Sequence, residues 1–152
     1  MTTIRVQSES FDTARVLADL RAGDPRIGAI ACFIGLVRDV NERREVSTMT
    51  LEHYPGMTER ELERIAAEAS ERWDLVDLAI VHRVGALRPT DEIVLVAVAS
   101  AHRGEAFQAC EFLMDYLKTR APLWKKEATP DGDRWVESRD SDSAAADRWS
   151  ES

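Results

Sequence analysis

No apolar run of about 18 residues occurs in the sequence, so no helical membrane span is expected. Cysteine is scarce: Cys32 and Cys110 are the two in 152 residues, each inside an apolar segment. Paired ligands at short spacing are missing, which argues against a zinc site and leaves two buried free thiols as the expectation. Residues 1–10 lack a basic region followed by an apolar stretch. A secretory signal is therefore not expected, and the cytoplasm is the expected compartment. Gly-x-x-x-x-Gly-Lys-Ser/Thr, Gly-x-Gly-x-x-Gly and Gly-x-Ser-x-Gly are all absent, which removes the common phosphate-cradling loops and the nucleophile elbow. Positive charge is in deficit: 20 Lys and Arg face 28 Asp and Glu, for a net charge of −8. Such a chain repels nucleic acid and acidic membranes, and neither is expected as a partner.

What is present describes one ordinary domain. Hydrophobic residues make up 44% and charged residues 32%, as in a globular protein able to bury a core without staples. Strands are predicted at 4–7, 28–37 (GAIACFIGLV), 46–53, 76–84, 92–99 (EIVLVAVA), 123–128 and 134–137. Helices are predicted from Ser10 or Asp12 to about Ala22, over 59–73 behind a capping box at Thr58 and Glu61, and from about Gly104 to about Thr119. Residues 38–45 read as a mobile loop and 85–89 as a turn. Strands and helices mix without strict alternation. The expected fold is therefore α+β: a single domain over 1–137 with a mostly antiparallel sheet and about three helices, then a polar, Ser-rich, loosely ordered tail over 138–152.

Three places put unusual side chains at element boundaries. Ser100-Ala101-His102-Arg103-Gly104 sits where a strand ends and a helix starts, so free N–H groups, the helix dipole and two basic side chains favour an anion. The same residues also fit a solvated helix start. Lys118 lies in the last turn of a helix, and the chain reverses at Pro122 into a strand whose one face carries Leu123, Lys125 and Glu127. That reversal can bring Lys118 and Lys125 together, and two ammonium groups in a partly dry pocket suit acid, base or nucleophilic work. The alternative is structural: a lysine that offsets the helix dipole and strand lysines that guard an edge. Arg38, followed by Asn41, Arg43 and Arg44, is either a phosphate-gripping loop or a solvated one. Over 103–126 five bases outnumber three acids in an otherwise acidic chain, which suits a small anion better than a polymer. Residue chemistry alone stops at a small α+β domain with a cationic pocket.

Five segments in unbroken order go further. They are Leu51-Glu52-His53-Tyr54-Pro55-Gly56-Met57, His82-Arg83-Val84-Gly85 with Pro89-x-Asp91-Glu92, Ser100-Ala101-His102-Arg103 with Ala106-Phe107, the run from Met114 to Glu127, and Asp133-Arg134-Trp135-Val136-Glu137. Together they resemble the catalytic large subunit family of molybdopterin synthase, over roughly residues 28–149. The resemblance implies sulfur transfer to cyclic pyranopterin monophosphate from the C-terminal thiocarboxylate of a small ubiquitin-like subunit. It implies a homodimer with a small subunit at each end, a heterotetramer, and neither a metal nor another cofactor. Lys118 and Lys125 match the family's catalytic pair. Arg38, His102 and Arg103 match substrate-binding residues, and Arg139 matches an arginine that reaches into the other protomer's pocket. Two other readings remain: a domain that docks the ubiquitin-like protein without catalysis, and an unrelated phosphate-binding regulatory domain.

Overall fold

The most apolar strand of the sequence forms the middle of the larger sheet. The computed structural model describes residues 2–41, 44–45, 48–136 and 140–150. In chain order the elements are β1 (Thr2–Gln7), α1 (Thr13–Arg21), β2 (Ala29–Leu36), β3 (Val40–Asn41), β4 (Arg44–Glu45), β5 (Thr48–His53), α2 (Met57–Arg72), β6 (Leu75–Arg83), β7 (Gly85–Leu87), β8 (Glu92–Ser100), α3 (Arg103–Arg120), β9 (Leu123–Thr129), β10 (Gly132–Val136) and α4 (Asp140–Ser150). One sheet has the order β1-β6-β8-β2, a second β10-β9-β5-β7, and β3 and β4 form a two-stranded ribbon. Every pairing is antiparallel except β1 with β6, so the expected α+β class with a mostly antiparallel sheet is what forms.

In β8 successive side chains point to opposite faces, and both faces are covered. Val94, Val96 and Val98 face one core with α2 and α3, while Leu95, Ala97 and Ala99 face a second with α1. This accounts for an unbroken apolar run rather than an alternating one. α3 is buried almost all round, with Phe112, Leu113, Tyr116 and Leu117 inside, because the sheet lies on one side of it and α2 and α4 on the other. A third, smaller core of Val37, Met49, Leu51 and Leu87 sits under the second sheet.

The structure departs from the sequence reading in five places. The Ser-rich end forms α4 rather than a loose tail, which makes a fourth helix. Trp149 anchors it, stacking edge-on to Trp73 and Phe112 at 5.6 Å and donating Nε1–H to Asp115 at 2.7 Å. Residues 38–45 include the β3–β4 ribbon, and the turn at 85–89 includes β7, which pairs with β5. Helix α2 begins at Met57 with Gly56 as its cap, and Glu59 accepts the Gly56 N–H at 3.1 Å. Thr58 is instead buried in the first turn, donating to the Tyr54 carbonyl at 3.0 Å. Cys110 is buried as expected, but Cys32 is exposed, because β2 is the edge strand of its sheet.

Trp149→Ala is expected to cost about 3 kcal/mol, since it removes the only large apolar anchor of a polar helix. Thermal unfolding checks it: a fall in Tm of roughly 6–12 °C is expected.

Candidate active site

Where α3 ends and β9 begins, the chain folds back over the far end of β2. A cavity of about 540 Å³ opens there, within the range of small-molecule sites. Lys118 stands on its helical wall beside Leu117 and Ala121. Leu123, Lys125 and Glu127 line it from β9, the face predicted from strand alternation. Phe33, Leu36 and Arg38 form the β2 side, and His82 with Val94 the floor. The reversal at Pro122 thus brings both lysines to one cavity, with Arg38 as a third cation. Glu127 is buried and balanced by Arg134, whose guanidinium lies 3.0 Å from its carboxylate. Asp142 of α4 also reaches the cavity.

His102 and Arg103 are not in this group. They are exposed at the start of α3, while Lys118 lies in its last turn. Fifteen residues of helix at 1.5 Å each separate Arg103 from Lys118, roughly 22 Å. Arg139 and Arg43 fall outside the described residues.

Sequence reasoning passed over His82. It continues the inward face of β6 after Leu78 and Ile80, and is only 4% exposed. Its Nδ1 lies 2.7 Å from the Arg83 carbonyl, which can only accept, so Nδ1 carries the proton and Nε2 a free lone pair. Burial pushes the imidazole down to about 4; the bond to the Arg83 carbonyl is the next effect and opposes it, while the charges of Lys118, Lys125 and His53 add smaller pushes in the direction of burial. The signal that could have found it was the period-two spacing to Leu78 and Ile80, which puts a titratable ring on a core face.

This burial has a consequence for stability. Between pH 6.5 and about 4 the unfolded chain takes up a proton that folded His82 refuses. The stabilisation is therefore full above pH 6.5 and is lost as pH falls, up to about 3 kcal/mol. Urea unfolding at pH 7 and pH 4.5 checks it: the difference between the two should shrink in His82→Gln.

Among the described residues no group of three or more His, Cys, Asp or Glu could hold a metal ion. The family model of the MoaE protein matches residues 6–120. The chain belongs to the MoaE family. A relative from Ralstonia nicotianae, a molybdopterin synthase catalytic subunit, is 62% identical over 149 residues, covering 98% of this chain and 85% of its own. The solved MoaE protein of Burkholderia ambifaria MC40-6 is 60% identical with a TM-score of 0.85, over 99% of each chain. The molybdopterin synthase structure from Staphylococcus aureus is 32% identical with a TM-score of 0.82, over 88% of this chain and 96% of that one.

Proposed function

We propose that this chain is the catalytic subunit of a molybdopterin synthase. It moves sulfur from the C-terminal thiocarboxylate of a small ubiquitin-like subunit to cyclic pyranopterin monophosphate, making the dithiolene of molybdopterin for molybdenum cofactor biosynthesis. The observation that carries this reading is the cavity of a MoaE-family chain that holds Lys118, Lys125 and Arg38 together. The substrate phosphate and the partner's C-terminal tail are both anions, and three cations in a half-enclosed site attract them in a protein of net charge −8.

The chemistry follows from that placement. Thiocarboxylate sulfur attacks the pterin side chain, the cyclic phosphate opens, and water releases the partner from a thioester. Lys118 and Lys125 are the catalytic pair: an ammonium beside the tail carbonyl stabilises the oxyanion that develops there and supplies or takes up a proton. Arg38 binds the substrate phosphate. Neither cysteine carries sulfur, and molybdenum enters in a later step.

His102, Arg103 and Arg139 act across a homodimer, the core of a heterotetramer with the small subunits. The separation of His102 and Arg103 from the cavity supports this, because a second copy is what brings them to a substrate. The exposed apolar residues of edge strand β2, Phe33 at 41% and Leu36 at 51%, support a second copy as well. Among the described residues no helix is long and apolar enough to cross a membrane. The place of work is the cytoplasm.

Calorimetric titration with the small subunit tests the assignment of the cavity. Tight binding is expected for the intact partner, and a loss of about tenfold or more when its C-terminal Gly-Gly is removed. Equal affinity for the truncated partner would mean that the tail does not enter the cavity.

A further inference from the structure

The cavity that gathers three cations also holds a carboxylate with no partner among the described residues. Its two acids are Glu127 and Asp142. Glu127 is held by Arg134 at 3.0 Å. Asp142 is half-buried and makes neither a hydrogen bond nor an ion pair among the described residues. Helix α4 brings it there. Arg148 and Trp149 fasten the far end of that helix to Glu111, Phe112 and Asp115, so its first turn reaches the end of α3 that carries Lys118. The helix dipole accounts for an acid in a first turn, but not for its place in the wall of a cavity that must draw two anions. A half-buried carboxylate is unfavourable without a donor, so a ligand that fills this cavity has to present N–H groups to it.

We propose that Asp142 recognises the pterin ring, its carboxylate accepting two parallel hydrogen bonds from the 2-amino group and N3–H of the substrate's aminopyrimidinone. This rests on the reading of the chain as a molybdopterin synthase, whose substrate carries that ring at one end and a phosphate at the other. Two donors side by side match the two oxygens of a carboxylate, as a guanidinium does. The charges of the cavity then sort the ends of the substrate: the phosphate goes to Arg38 and the ring to Asp142. Much of the remaining wall is apolar, with Leu36, Val37, Leu117, Leu123 and Val136, and suits the faces of a flat ring.

Two measurements test this. In the free protein, fluorescence titration compares 6-hydroxymethylpterin with 6-hydroxymethyllumazine, whose 2-oxo group puts an acceptor where the pterin has a donor. The wild type is expected to bind the pterin at least about tenfold more tightly. Asp142→Asn keeps the side-chain volume but turns one acceptor into a donor. Its affinity for the pterin should fall by about tenfold or more, and the preference should vanish or reverse. Equal binding of the two rings by the wild type, binding of neither, or a preference that survives in Asp142→Asn overturns the proposal. A fall in Tm with the preference unmoved also overturns it, because that is the mark of a residue that only serves the helix dipole. In turnover with the thiocarboxylated small subunit, Asp142→Asn should raise KM for cyclic pyranopterin monophosphate by about tenfold with kcat little changed, and an unchanged KM overturns the proposal. A wild-type chain that prefers the pterin but makes no dithiolene counts against the sulfurtransferase reading and leaves the ring-binding role of Asp142 standing.

Discussion

Lys118→Ala is expected to lower the rate of dithiolene formation by about a thousandfold, the scale of removing one preorganised donor to a developing oxyanion. Folding should be nearly unaffected. Lys118 is exposed in the last turn of α3, and its aliphatic stem fills no part of the core. Affinity for the small subunit should change little, because a single lysine contributes a minor share of a protein interface. Lys118→Arg should rescue poorly, since a broad guanidinium cannot replace a compact ammonium in a shaped site. Single-turnover rates with calorimetric partner binding check both halves. Wild-type rates would remove Lys118 from the chemistry, and lost partner binding would give it a docking role instead.

Mixing two inactive homodimers should restore activity. Within one chain, Arg103 and Lys118 stand at opposite ends of an 18-residue helix. If each working site takes Lys118 from one protomer and Arg103 from its neighbour, a dimer of one Lys118→Ala chain and one Arg103→Ala chain contains one intact site and one doubly damaged site. After exchange at equal concentrations, half of the dimers are mixed, and turnover should recover to about a quarter of the wild-type value. The mixture stays inactive if both residues serve the same protomer. The size of the recovery is the measure, because neither parent alone should exceed about a hundredth of the wild-type rate.

How much of this was legible in the residues depended on how local the signal was. The run from Glu92 to Ala99 reads as a strand because both of its faces are buried, and composition records that directly. The lysine pair was visible in outline, because Pro122 ends a helix and strand alternation then puts Lys125 with Leu123 and Glu127. Helix α4 was not visible. Its hold comes from Trp149 on Phe112 and from Arg148 on Glu111 and Asp115, contacts 33 to 37 residues away that leave no mark on a Ser- and Asp-rich segment. Cys32 failed for a related reason: an apolar run reveals a strand but not whether that strand is central or at an edge. His82 failed because its neighbours are set by tertiary folding. Nothing within β6 says that the ends of α3 and β9 will close over it.

The central question is whether this chain makes the dithiolene. The most direct measurement mixes it with thiocarboxylated small subunit and cyclic pyranopterin monophosphate in a single turnover and follows the product by mass. The expected result is a pterin carrying two sulfurs, formed with the wild-type chain and lost with Lys118→Ala. A chain that binds the small subunit but gives no sulfur-bearing pterin would contradict the account and leave a docking domain in its place.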